Sequence, residues 1–171
     1  MKLKNIFTTK EEEEIAHHLG KIQLFNNVTL MERVKVAKYF RKKIYPAGTK
    51  IFHEGDNGES MYVIQEGAVR ITKKVQDKEE TLVNIVDGNF FGEMALLEDS
   101  PRSASVIALS NVIMLELYRI NLLKLLKNHP HIGVKIMYNL SQILSKRIRQ
   151  SGDKIKDLLT WDYLKKAKDE I

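Results

Sequence analysis

Apolar residues along this chain change their spacing twice. Near the N-terminus, Thr9 stands three residues before Glu12, and the acidic run Glu11 to Glu14 meets the positive end of a helix dipole; this capping-box pattern predicts a short helix ending near Gly20. Thr29 with Glu32 repeats the signal, and Met31, Val34, Val36, Ala37 and Phe40 follow at mainly helical spacing, predicting a helix over about 30 to 42. From Ile44 to Leu117 the pattern becomes short runs rich in Val, Ile, Tyr and Thr (Lys50 to His53, Met61 to Gln65, Ala68 to Lys73, Thr81 to Val86, Ser103 to Ala108, Val112 to Leu117). Turn residues such as Pro46-Ala-Gly48, Glu66-Gly67, Asp87-Gly88 and Asp99-Ser-Pro101 separate them. Short strands punctuated in this way predict a β-barrel or jelly roll that encloses a small cavity.

Beyond Tyr118 the helical spacing returns. It predicts a short helix over Asn121 to Lys127, a break at His129-Pro130-His131, and a long helix from about Ile132 to about Leu159. Met137, Leu140, Leu144, Ile148, Ser151, Ile155 and Leu158 step along it by three and four residues, a seam of the coiled-coil type that points to a homodimer. Gly152 is a weak point, costing about 1 kcal/mol relative to alanine. The chain is thus expected to be α+β and mainly β: N-terminal helices over 1–43, a barrel over 44–118, and a hinge helix with a long C-terminal helix over 119–171.

Composition narrows the function classes. The sequence has 171 residues and no cysteine, which excludes disulfides, thiolate metal ligands and a cysteine nucleophile. No apolar run approaches the roughly 20 residues that span a bilayer, and MKLKNIFTTKEEEE has no apolar block of signal-peptide length. A cytoplasmic protein without membrane contact is expected. The net charge of +6 is spread along the chain with acids interleaved, so it reads as a solvated surface and not as a nucleic-acid face.

The stretch FGEMALLEDSPRSA, Phe91 to Ala104, carries the candidate chemistry. Asp87-Gly88 ends a strand, Asn89 to Phe91 forms a loop, and the helix formers after Gly92 predict a short helix starting there. Its first amides would be free, and glycine lets an anion approach the backbone closely. Arg102 opens the next predicted strand and shares a face with Ala104, Val106 and Ala108, so it points inward. A buried guanidinium needs an anion. Two readings stand at this point: a bound phosphate, or an internal salt bridge to Glu93, Glu98 or Asp99.

FGEMALLEDSPRSA resembles the phosphate-binding cassette of cyclic nucleotide-binding domains: Gly-Glu opening a short apolar helix, then Pro-Arg, a small or hydroxylated residue, and Ala. IYPAGTKIFHEGDNGESMYVIQEGAVRI, Ile44 to Ile71, likewise resembles the first half of that family's barrel. The resemblance implies an eight-stranded β-roll and a non-enzymatic receptor that signals by shifting its C-terminal helices. It implies that Gly92, Met94 and Ala95 present backbone groups to the cyclic phosphate and ribose. Glu93 would accept from the ribose 2′-hydroxyl, Arg102 would pair with the exocyclic oxygens, and Ser103 would add a donor. Val63, Ile71 and Val83 are candidates for the wall behind the base. Laid against the bacterial catabolite-activator branch, Ser151 and Gly152 fall where two adjacent hydroxyl residues read adenine. One hydroxyl survives, favouring cyclic AMP, although a serine after the arginine also suits cyclic GMP.

Other readings are weaker. A cupin-like metalloenzyme would need inward histidines, and only His53 falls in the barrel region, so no metal site is expected. Direct DNA binding is not expected either, because about a dozen residues after Leu159 cannot hold a helix-turn-helix. The downstream protein partner is not visible. A degenerate barrel acting as a scaffold would have no reason to keep Glu93 and Arg102. Trp161 and Tyr163 suit either a lid over a purine or an anchor for the terminal helix.

Overall fold

Two threonine-led capping boxes start the chain's first helices. In α1 (Lys10–Leu19) the Glu12 amide donates to Thr9 Oγ1 at 3.1 Å, and the Thr9 amide donates back to Glu12 Oε2 at 3.0 Å. Thr29 and Glu32 repeat the reciprocal pair at the head of α2 (Leu30–Ala37). A computed structural model describes residues 9–169, with the backbone alone described at 158 and 161–169. Leu158, Trp161 and Tyr163, as side chains, therefore lie outside the described residues.

Helix α2 stops at Ala37, short of the 42 its spacing predicts, because Phe40–Tyr45 forms strand β1 instead. Arg41, Lys42, Lys43 and Ile44 are all exposed there, so β1 lacks the alternation that marks a strand. It is an edge, held by antiparallel pairing to the far strand β8 (Val112–Tyr118), and its charges discourage further pairing. The barrel thus begins at Phe40 rather than Ile44.

The remaining strands are β2 (Lys50–Phe52), β3 (Ser60–Glu66), β4 (Ala68–Val75), β5 (Lys78–Val86) and β7 (Ser105–Ala108), which follow the predicted runs, and a two-residue β6 (Phe90–Phe91), which does not. They form two four-stranded antiparallel sheets, ordered β1-β8-β3-β6 and β2-β7-β4-β5. The eight-stranded β-roll is as expected, and β6 is the strand that the sequence reads as loop.

Strand β3 is buried on both sides, and its alternation sorts two cores. Tyr62 and Ile64 face Val69, Phe91, Val106 and Met114 inside the roll. Met61 and Val63 face the helices, in a second core with Leu19, Phe25, Val34, Leu125 and Ile132. Val63 is therefore fully buried beneath the helices and does not wall the roll's interior, contrary to its expected place behind a base.

Helix α4 (Arg119–Asn128) leads through His129 into α5 (Pro130–Asp169), where Pro130 takes the first helical position it suits. The helix runs without a break through Gly152. Ile132, Ile136, Leu140 and Ile143 pack on the helical core, with Met137 and Leu144 at its margin. Asn139 donates to the Leu24 and Asn26 carbonyls at 3.0 and 2.7 Å. The first half of the seam is thus spent within the chain. Ile148, Ile155 and Leu159 remain 72%, 58% and 67% exposed.

Candidate functional site

The cassette turn is built on Gly92. Its φ of +73° is a left-handed conformation that glycine adopts without cost, and it rules out the predicted helix start there. Helix α3 is one turn, Met94–Leu97, begun by Glu93. The Ala95 amide donates to Gly92 O at 3.3 Å to close that turn. An added Cβ on Gly92 would lie 2.8 Å from Arg102 Nη1 and 3.3 Å from Ser60 O. Glycine here makes room for the arginine as much as for a ligand.

Arg102 precedes strand β7 rather than opening it, yet it points inward as its alternation predicts, with 8% of its surface exposed. Two backbone bonds fix it: its amide donates to Asp56 O at 2.8 Å, and its carbonyl accepts from the Gly55 amide at 2.9 Å. The guanidinium lies 4.1 Å from the Phe52 ring centroid and 5.8 Å from that of Tyr62. Nη1 donates to Ser60 O at 2.7 Å and to Gly92 O at 3.4 Å, and Nη2 donates to Ser60 Oγ at 3.3 Å. Nε is buried without a partner. Burial pulls the guanidinium's pKa below its ordinary value, partly offset by Tyr62 and Glu116. An arginine in an apolar niche with an unused donor is prepared to meet an anion.

Two of the three acidic residues that could have satisfied Arg102 pair elsewhere. Glu93, 6% exposed, pairs with Arg147 of α5 at close range. Arg147 also stacks 5.0 Å from the Phe90 ring centroid. Asp99 pairs with Arg119 at 3.2 Å. Arg119 donates from Nε to Ala95 O at 2.7 Å and from Nη2 to Gly58 O at 2.5 Å, so the first residue of α4 is strapped to the cassette.

These residues surround a cavity of about 490 Å³. Phe91, Gly92, Glu93, Met94 and Ala95 line it together with Arg102, Ser103 and Ala104. Ile71 and Val83, cross-strand neighbours in β4 and β5, form the apolar wall with Leu82 and Ile85. Ser151 reaches the mouth from α5, alongside Arg147, Gln150 and Lys154. Of the predicted site residues, Val63 alone is elsewhere. Arg147, Leu82 and Ile85 are among the lining residues that the sequence reading did not name. Arg147 had a signal in the basic face of LSKRIRQ, one turn before Ser151.

The profile of the cyclic nucleotide-binding domain matches residues 42–129, half of the sequence, including both cassette and barrel. The chain belongs to the cyclic nucleotide-binding domain family. It is 34% identical over 140 residues to the cyclic AMP receptor protein of Thermus thermophilus, covering 81% of this chain and 62% of that protein. It is 38% identical over 96 residues to the cAMP-dependent protein kinase regulatory subunit of Debaryomyces hansenii, covering 56% of this chain and 21% of that one. A solved cyclic nucleotide-binding domain from Methylobacillus flagellatus superposes with a TM-score of 0.75 at 32% identity, covering 85% of this chain and 83% of that one. The chain therefore spans less than two thirds of these curated relatives' length. Among the described residues no group of three or more His, Asp or Glu side chains is placed to hold a metal, and no helix is long and apolar enough to cross a membrane. His53, the one barrel histidine, sits 3.5 Å from Asp56 at the surface.

Proposed function

We propose that this chain is a cyclic nucleotide receptor, with cyclic AMP its preferred ligand, and that it acts by binding rather than turnover. The observation that carries the reading is Arg102: buried, with Nε unpartnered, lining a cavity of about 490 Å³ together with Glu93 and Ser103. The guanidinium takes the exocyclic phosphate oxygens, with Ser103 and the Gly92 turn beside it. Glu93, braced by Arg147, accepts from the ribose 2′-hydroxyl. The base lies against Ile71, Leu82 and Val83, and Ser151 offers a hydroxyl to its edge.

Because Arg147 belongs to α5 and Glu93 to the cassette, a ligand that engages Glu93 bears directly on the position of α5. A ligand shifts such an equilibrium only by its differential affinity for the two arrangements. The exposed Ile148 and Ile155 continue the homodimer seam, and the signal passes to a protein partner. Calorimetry with cyclic AMP and cyclic GMP on the wild type and Arg102→Ala tests the receptor: binding by the wild type and its loss in the variant are expected, and no binding by the wild type overturns it. Analytical ultracentrifugation that finds only monomer at high concentration overturns the seam.

A further inference from the structure

Directly behind Arg102 lies a second buried charge. Glu116, on β8, is 4% exposed. Register places Arg41, Glu116, Tyr62 and Phe91 side by side across β1, β8, β3 and β6, so the carboxylate faces the roll's interior. Ser60 Oγ donates to Glu116 Oε1 at 3.0 Å while accepting from Arg102 Nη2. Glu116 Oε2 is buried with no hydrogen-bond partner. The phenols of Tyr45, Tyr62 and Tyr118 surround it and stay neutral, their pKa values raised by burial first and by this carboxylate second or third.

A buried carboxylate is costly unless a cation compensates it, even where the Ser60 hydroxyl and the Tyr62 and Tyr118 phenols act on it. Two cations are near. Arg41 is its cross-strand neighbour, but it lies exposed at the sheet edge, where water screens it. Arg102 is buried in the same interior and joined to Glu116 through one hydroxyl. Asp56 and Glu59 also act on Arg102, but both are exposed.

We propose that Glu116 is the resident counter-charge of Arg102, coupled to it through the Ser60 hydroxyl, and that it sets how strongly the cavity draws an anion. This rests on the receptor reading for the identity of the anion. In the empty site Glu116 stabilises the buried guanidinium, and Ser60 orients it with both its carbonyl and its hydroxyl. When a phosphate arrives, Glu116 repels it. The carboxylate therefore exchanges affinity for stability of the unliganded fold, and Glu116 is a positioning residue that touches no ligand.

The test is a double-mutant cycle of Glu116→Gln and Arg102→Gln, read by thermal unfolding without ligand, joined to cyclic AMP titration of the wild type and Glu116→Gln. Glu116→Gln alone is expected to lower Tm by about 2–6 °C. In the Arg102→Gln background that loss disappears. In the titration Glu116→Gln binds cyclic AMP roughly three- to tenfold more tightly, with a steeper weakening by salt. An equal loss of Tm in both backgrounds assigns the carboxylate to Arg41 and overturns the proposal, as does unchanged or weaker cyclic AMP binding. Should Glu116→Gln not fold, Ser60→Ala keeps both charges and cuts the relay: tighter binding, the direction expected of Glu116→Gln, supports the proposal, and unchanged or weaker binding overturns it. A wild type that binds no cyclic AMP overturns the receptor reading, and the ligand-free cycle still decides the coupling.

Discussion

Gly92 and Gly88 offer a controlled comparison, because both hold left-handed backbone, at φ +73° and +77°, and differ only in what lies in front of them. Alanine at either position pays the same conformational cost, of about 1–2 kcal/mol. In a chain of 171 residues that lowers Tm by about 2–8 °C. At Gly88 a new Cβ meets nothing within 4 Å. At Gly92 it lies 2.8 Å from Arg102 Nη1, which is already pinned to Ser60 O at 2.7 Å. The guanidinium must then leave its acceptor, at about 1.5–3 kcal/mol for a hydrogen bond to a charged group, or about ten- to a hundredfold in affinity. Differential scanning fluorimetry and calorimetry separate the two effects. Gly88→Ala is expected to lose Tm and keep wild-type affinity for cyclic AMP. Gly92→Ala is expected to lose both. Equal affinity in the two variants refutes the claim that glycine at 92 serves the arginine.

Arg147→Ala removes the ion pair of Glu93, whose carboxylate is buried while the arginine is about half exposed. Solvent screening limits the stability loss to roughly 1 kcal/mol, whereas cyclic AMP affinity is expected to fall about tenfold or more by titration; an unchanged affinity excludes a role for α5 in holding the ligand. Burial lowers the pKa of both His18 and His129 below 6.5, so below that value the unfolded chain takes up protons before the folded one does. Stability therefore falls as pH drops from 7 through 5, and His18→Asn with His129→Asn flattens that slope in urea titrations; an unaltered slope places the protonation elsewhere.

Much of this molecule is legible in its sequence where local chemistry and tertiary need agree. Both capping boxes form, six strands fall on their predicted runs, and the inward turn of Arg102 follows from simple alternation. Disagreement arises where a distant partner decides. Strand β1 exists because β8 supplies its hydrogen bonds, and nothing in Arg41-Lys-Lys-Ile44 announces that. Val63 has the residue type of a barrel wall, but β3 is buried on both faces, and alternation alone cannot tell which face meets the cavity. The partner of Glu93 was out of reach for the same reason: Arg147 is 54 residues away, and only the packing of α5 on the helical core brings it back.

Helix α5 has a mechanical consequence as well as a chemical one. From Arg147, where it touches the cassette, to Asp169 the helix extends by about 33 Å at 1.5 Å per residue. A rotation of only about 5° at that contact would carry the far end through about 3 Å, on the scale at which helix shifts operate switches. On the receptor reading, an adjustment of less than an ångström around a phosphate would need no relay through the barrel to be felt at a distance, because the length of the helix would multiply it.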